Sequence, residues 1–168
     1  MVGVRLAQIE DISRISLVLA TSWKAAYRGG IVNDDYLDSL KDDHWIDFLS
    51  SGLISGLILS MVLQEGQDII GAAILRKTEQ EKEVHLVSLY LLPDKIGQGL
   101  GHIFYSEIEK GAIERGYTTC VLDVLESNSR AVRFYKTHGF EYTGIEGTAT
   151  LGDQSYVYKV MGKILEAT

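Results

Sequence analysis

The stretch from Glu83 to Leu125 constrains this chain more than any other. It reads as a strand from Glu83 to Leu92 closed by Pro93-Asp94, a loop with glycine at 97, 99 and 101, a helix over about 99–115, and a strand from Tyr117 to Leu125. Leu100, Ile103, Phe104, Ile108 and Ala112 recur at helical spacing, and Gly116 stands where a helix ends. Two strands bracketing a helix belong to an α/β architecture. The second strand has almost no polar face, which predicts burial on both sides and a central place in a sheet.

The flanking elements extend that frame. Val2 to Leu6 reads as a first strand. Ile12, Ile15, Leu19, Trp23 and Tyr27 then draw one apolar stripe along a helix that Gly29-Gly30 ends. Asn33 is a suitable N-cap, with Asp34 and Asp35 in the first turn, for a short helix carrying Tyr36, Leu37 and Leu40. A third helix holds Trp45, Phe48 and Leu49. Leu57 to Leu63 and Ile69 to Leu75 form a hairpin around residues 64–68. Ser127-Asn128 caps a helix to His138, Gly139 ends it, and two strands, around Phe140 to Gly144 and Ser155 to Ile164, complete the chain. The order is β, α, α, α, β, β, β, α, β, α, β, β. It predicts one domain over residues 1–168 with an α/β fold: a mixed, mostly antiparallel central sheet flanked by helices.

Composition narrows the function classes. At 168 residues, 46% hydrophobic and 23% charged, the chain is a globular protein large enough to bury roughly 70% of its unfolded surface without staples. Sixteen basic against 23 acidic residues give a formal charge of −7, which argues against coating nucleic-acid phosphates. One cysteine, Cys120, excludes an intramolecular disulfide, and the opening residues lack a signal-peptide layout. A cytoplasmic setting is expected. The longest apolar stretch, Leu53 to Leu63, is short of the ~20 residues a membrane span needs. Charge is uneven: residues 34–47 hold six Asp against one Lys, while residues 95–136 hold six basic against five acidic residues.

The chemistry starts with the strand, glycine loop and helix N-terminus. Glycines let backbone N–H groups face a ligand without Cβ clashes, and the helix dipole adds positive potential, so a pyrophosphate is the natural guest. A dinucleotide fingerprint would need glycine where His102 stands, and no Gly-Lys-Ser/Thr occurs. Further on, Asn128, Ala131 and Tyr135 share one helix face. Taken together, Ile96-Gly97-Gln98-Gly99-Leu100-Gly101-His102 and Asn128-x-x-Ala131-x-x-Phe134-Tyr135-x-x-x-Gly139-Phe140 resemble the two motifs of the GNAT-type N-acetyltransferase superfamily. The specific resemblance covers about residues 83–145. A Trp23, Tyr27, Gly29 stretch is similar to many bacterial members.

The resemblance implies an acetyl-CoA-dependent N-acetyltransferase that passes acetyl directly to a primary amine in a ternary complex. Acetyl-CoA is the implied cosubstrate. The backbone of Leu89, Tyr90 and Leu91 would pair with its pantetheine arm, and the loop from Lys95 through Ile96, Gly97, Gln98, Gly99, Leu100 and Gly101 to His102 would hold its pyrophosphate. Asn128 would fix the pantetheine from the other side, with Lys95, Arg130 and Lys136 toward the outer phosphates. Ile96 stands where the family usually has Arg or Gln. Tyr135 resembles the tyrosine that protonates the departing thiol. A glutamate is common eight residues before the proline, and here that position is His85. Glu83 points to the same strand face, ~6.5–7 Å away. His85 is therefore the expected base with Glu83 as helper, the alternative being a half-exposed histidine with no role.

Trp23, Tyr27 and Tyr36 are candidate walls of the acceptor pocket, between the first two helices and the last strands, although a Trp and Tyr on an apolar stripe are more often plain core. The acidic run 34–47 would attract a cationic amine such as a polyamine or a protein N-terminus, or form a solvated helix face. His44, His102 and His138 show no metal-ligand spacing, so no metal is expected; a homodimer is compatible with the sequence. Two rivals stand beside the enzyme: a non-catalytic acyl-CoA-binding sensor, which Ile96 and the missing glutamate favour, and an unrelated nucleotide-binding domain.

Overall fold

A computed structural model describes residues 1–166; the last two residues of the domain expected over 1–168 lie outside them. The strands are β1 (Val2–Leu6), β2 (Ile58–Glu65), β3 (Asp68–Lys77), β4 (Glu83–Leu91), β5 (Thr119–Leu125), β6 (Glu141–Leu151) and β7 (Gln154–Ile164). The helices are α1 (Ile12–Ala26), α2 (Asp34–Ser39), α3 (Ile46–Ser55), α4 (Leu100–Glu114) and α5 (Ser129–Thr137). The seven strands form one sheet in the order β1-β2-β3-β4-β5-β7-β6. Every neighbouring pair is antiparallel except β4 and β5, which are parallel because α4 carries the chain back across the sheet.

Period-2 alternation gives the sheet two apolar faces. Met61 and Leu63 of β2 face one layer with Phe104 and Ile108 of α4, while Ile58 and Val62 face the other with Ile15, Leu19 and Leu49 of α1 and α3. Helices thus sandwich the sheet. Among the described residues, no helix is long and apolar enough to cross a membrane.

Two sequence expectations need correction. β5 buries only Cys120, Leu122 and Val124; Thr119, Val121 and Leu125 are half-exposed and Asp123 is exposed. The reason lies in the helix layer: α1 packs mainly on β3 and β4 and α3 on β2, and among the described residues of this face of β5 it is Leu125, at the strand's end, that packs against the cluster of Tyr27 and Leu37. The penultimate strand is also longer than the expected Phe140 to Gly144. β6 runs to Leu151 through a register break between Tyr142 and Glu146 that contains Gly144 at φ +90°.

The cap at Asn33 forms as its sequence position predicts. Its side-chain oxygen accepts from the backbone N–H of Asp35 at 2.9 Å and of Tyr36 at 3.3 Å, while its own N–H donates to the Tyr156 hydroxyl at 2.9 Å. Asn33→Ala keeps the backbone bond and loses the cap. The expected cost is about 1 kcal/mol, a fall in melting temperature of roughly 2–4 °C. An unchanged melting curve would mean that α2 is held by its packing alone.

Candidate active site

The site is built by a divergence. β4 and β5 pair at Glu83↔Thr119, Val84↔Cys120 and His85↔Val121, and no further. A register shift against β3, where Ile74 faces Ser88 but Leu75 faces Leu86, makes Val87 an extra residue in β4. Beyond it the β5-facing edge of Leu89, Tyr90 and Leu91 has no strand partner, although the Leu91 carbonyl accepts from the buried Ser22 hydroxyl at 2.9 Å.

At the far end of β4 comes the glycine loop. After a 3-10 turn at Pro93–Lys95, Gly97 and Gly99 adopt φ +87° and +77°, conformations that side chains with a Cβ rarely take. A Cβ at either would meet nothing within 4 Å, so the space above the loop is open. Gly99 starts α4, and among the described residues the backbone N–H groups of Gly97 to His102 find no acceptor. Six N–H groups without an acceptor and the start of a helix thus lie at this opening, which fits an anionic pyrophosphate. Leu100 points away into the core, Ile96 is 38% exposed, and the Gln98 amide donates to the Asp94 carbonyl at 3.1 Å.

α5 lies on the other side of the divergence. The Asn128 side-chain oxygen caps it by accepting from Ala131 N–H at 3.2 Å. Tyr135 packs edge-on against Phe134 and Phe140. Its hydroxyl has no hydrogen-bond partner among the described residues, whereas none of the buried side-chain polar atoms described lacks one, so the phenol opens into the divergence. Burial pushes the Tyr135 phenol up, which keeps it protonated at neutral pH.

Facing it across the gap are two tyrosines. The Tyr27 and Tyr90 hydroxyls lie 2.7 Å apart, and Trp23 packs on both rings. Burial raises the Tyr27 phenol, offset in part by hydrogen bonding to Tyr90 and Asn128. Tyr90 thus contributes its side chain as well as the backbone that sequence reasoning singled out. Tyr36 sits beside Gly152 of the β6–β7 turn. An open cavity of about 430 Å³ between the α1–α2 loop and β7 is lined by Asn33, Asp34, Asp35, Gln154 and Tyr156, among others. Of these, only Asn33 and the two aspartates carried a sequence signal.

His85 and Glu83 sit at the foot of the divergence. Glu83 accepts from the Thr78 hydroxyl at 2.8 Å. His85 touches Arg76 and Asp123, neither of which sequence reasoning identified. Burial, the largest influence, lowers its proton affinity; Asp123 and Glu83 oppose that and Arg76 adds to it. Among the cations, Lys95 is tied to Glu65 at 2.7 Å and Lys136 lies over the Tyr142 ring at 4.9 Å, while Arg130 is exposed. The fold also brings His102 and His138 together, with Nδ1 and Nε2 2.7 Å apart, a pairing their sequence spacing hides. Cys120 is buried and its thiol is pushed up to about 12, chiefly by desolvation, which makes it inert.

Comparison with known proteins bears on the family and the fold. Residues 20–140 match the family model described as the acetyltransferase (GNAT) family. The chain is 28% identical over 144 residues to the uncharacterized N-acetyltransferase YuaI of Bacillus subtilis (strain 168), covering 84% of this chain and 81% of that one. Its fold is similar to the PaiA N-acetyltransferase of Thermoplasma acidophilum in complex with coenzyme A, with a TM-score of 0.78, 24% identity, and 98% and 99% of the two chains covered. It is also similar to the ribosomal-protein-S18-alanine N-acetyltransferase of Escherichia coli, with a TM-score of 0.72, 17% identity, and 100% and 96% covered.

Proposed function

Because the chain belongs to the GNAT family of acetyltransferases, we propose that this N-acetyltransferase passes the acetyl group of acetyl-CoA directly to a primary amine within a ternary complex, from one domain. The observation that carries this reading is the divergence of β4 from β5 ending on six unpartnered N–H donors at the start of α4. Bound acetyl-CoA supplies an activated acetyl thioester. The free edge of Leu89 to Leu91 binds its arm, and the N–H groups of Gly97 to His102 hold its pyrophosphate. Asn128 orients the arm from α5.

The residues around the gap handle the protons. Tyr135 keeps its hydroxyl proton at neutral pH and offers it to the departing sulfur. His85, neutral because burial lowers its proton affinity, accepts the proton of the amine, and Glu83 assists from the same strand face. The acceptor enters beside Asn33, Asp34 and Tyr156, where the two aspartates of the first α2 turn favour a cationic amine: a small molecule, a polyamine or a protein N-terminus.

Thermal unfolding with acetyl-CoA, ATP and NAD tests the cofactor. Acetyl-CoA at 100 times its dissociation constant should add ~2.7 kcal/mol, a rise of roughly 5–10 °C for a domain of this size, with no shift from ATP or NAD. A shift with NAD or ATP in its place would favour a different nucleotide site. Labelled acetyl transfer to an amine library then separates the enzyme from an acyl-CoA-binding sensor, which would bind without transferring.

A further inference from the structure

Three side chains from three adjacent strands meet where β4 and β5 part: Arg76 of β3, His85 of β4 and Asp123 of β5. Arg76 Nη2 lies 3.1 Å from His85 Nδ1, and Asp123 Oδ2 lies 3.6 Å from His85 Nε2. The histidine side chain is 14% exposed and the aspartate 44%. A guanidinium can only donate. Nδ1 must therefore accept, so the neutral imidazole carries its single proton on Nε2, the nitrogen that faces Asp123.

We propose that Arg76 and Asp123 are positioning residues for His85: from the strands on either side, Arg76 fixes the neutral ring with its proton on Nε2, and Asp123 holds the charged ring through that same nitrogen. The proposal rests on the reading of His85 as proton acceptor. The acceptor ammonium loses an N–H bond, its electron pair staying on the amine nitrogen, and the new N–H bond forms at His85 Nδ1 as Arg76 gives up its contact. The imidazolium charge then faces the Asp123 carboxylate. Neither partner touches the reacting atoms in this scheme; both act through the ring.

The charged groups that face His85 are Arg76 from β3, Glu83 from its own strand and Asp123 from β5. Arg76 and Asp123 push its proton affinity in opposite directions, so their removal has opposite signs. Asp123→Asn should lower the His85 midpoint and move the acid limb of the kcat/KM profile to lower pH, each by roughly half a pH unit. Asp123→Glu should restore both. Arg76→Met should raise the midpoint and move the limb to higher pH by a similar amount, and it should replace the single Nε2–H form of the neutral ring with a mixture of tautomers.

The midpoints and tautomers are read by ring-nitrogen NMR of the intact protein without substrate, with His85→Gln assigning the resonance. The limb is read with acetyl-CoA and an amine that the enzyme acetylates. Shifts of opposite sign, with the tautomer change, support the pairing. A His85 midpoint that ignores both substitutions, or moves the same way in both, overturns it. Opposite midpoint shifts with a stationary limb would leave the pairing standing and instead remove His85 as the proton acceptor, so the two readings fail separately.

Discussion

Tyr135→Phe should lower kcat by about 10²–10⁴ while leaving the affinity for acetyl-CoA and the melting temperature close to those of the unaltered protein. The ring keeps its packing against Phe134 and Phe140 at centroid distances of 5.3 and 5.5 Å. Its hydroxyl has no partner among the described residues, so its removal strands no buried donor or acceptor. What disappears is the one protonated phenol that opens into the gap between β4 and α5 without a partner. The two other phenols at the gap, Tyr27 and Tyr90, are bonded to each other and do not substitute for it. Single-turnover and steady-state rates beside a direct binding measurement make the test. An unchanged kcat in the Tyr135→Phe enzyme would take Tyr135 out of the chemistry and leave it as packing.

Gly99→Val should have the second largest effect, on binding rather than turnover. At φ +77° the backbone sits in a region that a β-branched residue avoids. Strain of this kind costs roughly 1–2 kcal/mol, a fall in melting temperature of roughly 2–8 °C. The larger consequence lies above the loop. A Cβ at this position meets nothing within 4 Å, so the valine projects into the open space above the loop whose N–H groups have no acceptor. Acetyl-CoA affinity should fall at least tenfold, about 1.4 kcal/mol, and the thermal shift with the ligand should shrink with it. Retention of full affinity in Gly99→Val would move the pyrophosphate away from this loop. Gly101 gives a useful contrast: a Cβ there meets Phe134 at 3.3 Å, so its substitution disturbs the contact between α4 and α5 instead.

Much of the fold was legible because its signals are local. The caps at Asn33 and Asn128 and the left-handed glycine that starts α4 are settled by hydrogen bonds and backbone sterics within a few residues, and the sequence carries those residues in place. The strand order of apolar runs and the α1 stripe were equally readable, since periodicity reports which face of an element is buried. β5 shows the limit. Its run of apolar residues reads as burial on both faces, yet burial depends on whether a helix lies over it, and α1 and α3 lie over β2, β3 and β4.

The candidate site divides along the same line. The glycine loop and the helix that follows Asn128 were visible in the sequence because each is one contiguous motif, shaped by its own backbone or by one helix face. His85 was visible only as a titratable residue at a suggestive spacing. Its partners were not, since Arg76 reaches it through the antiparallel register of β3 and Asp123 through the parallel pairing of β5. The pairing of His102 with His138 joins residues 36 apart, and that of Tyr27 with Tyr90 residues 63 apart.

By itself, then, the sequence determined the elements, their order, the glycine loop and the place of Tyr135 on α5, all of which depend on interactions among residues close in the chain. Only the tertiary structure decided where β4 leaves β5, which face of β5 stays open and which charges surround His85. Those depend on strand register and on the extra residue at Val87, which the packing of the whole sheet against two helical layers fixes.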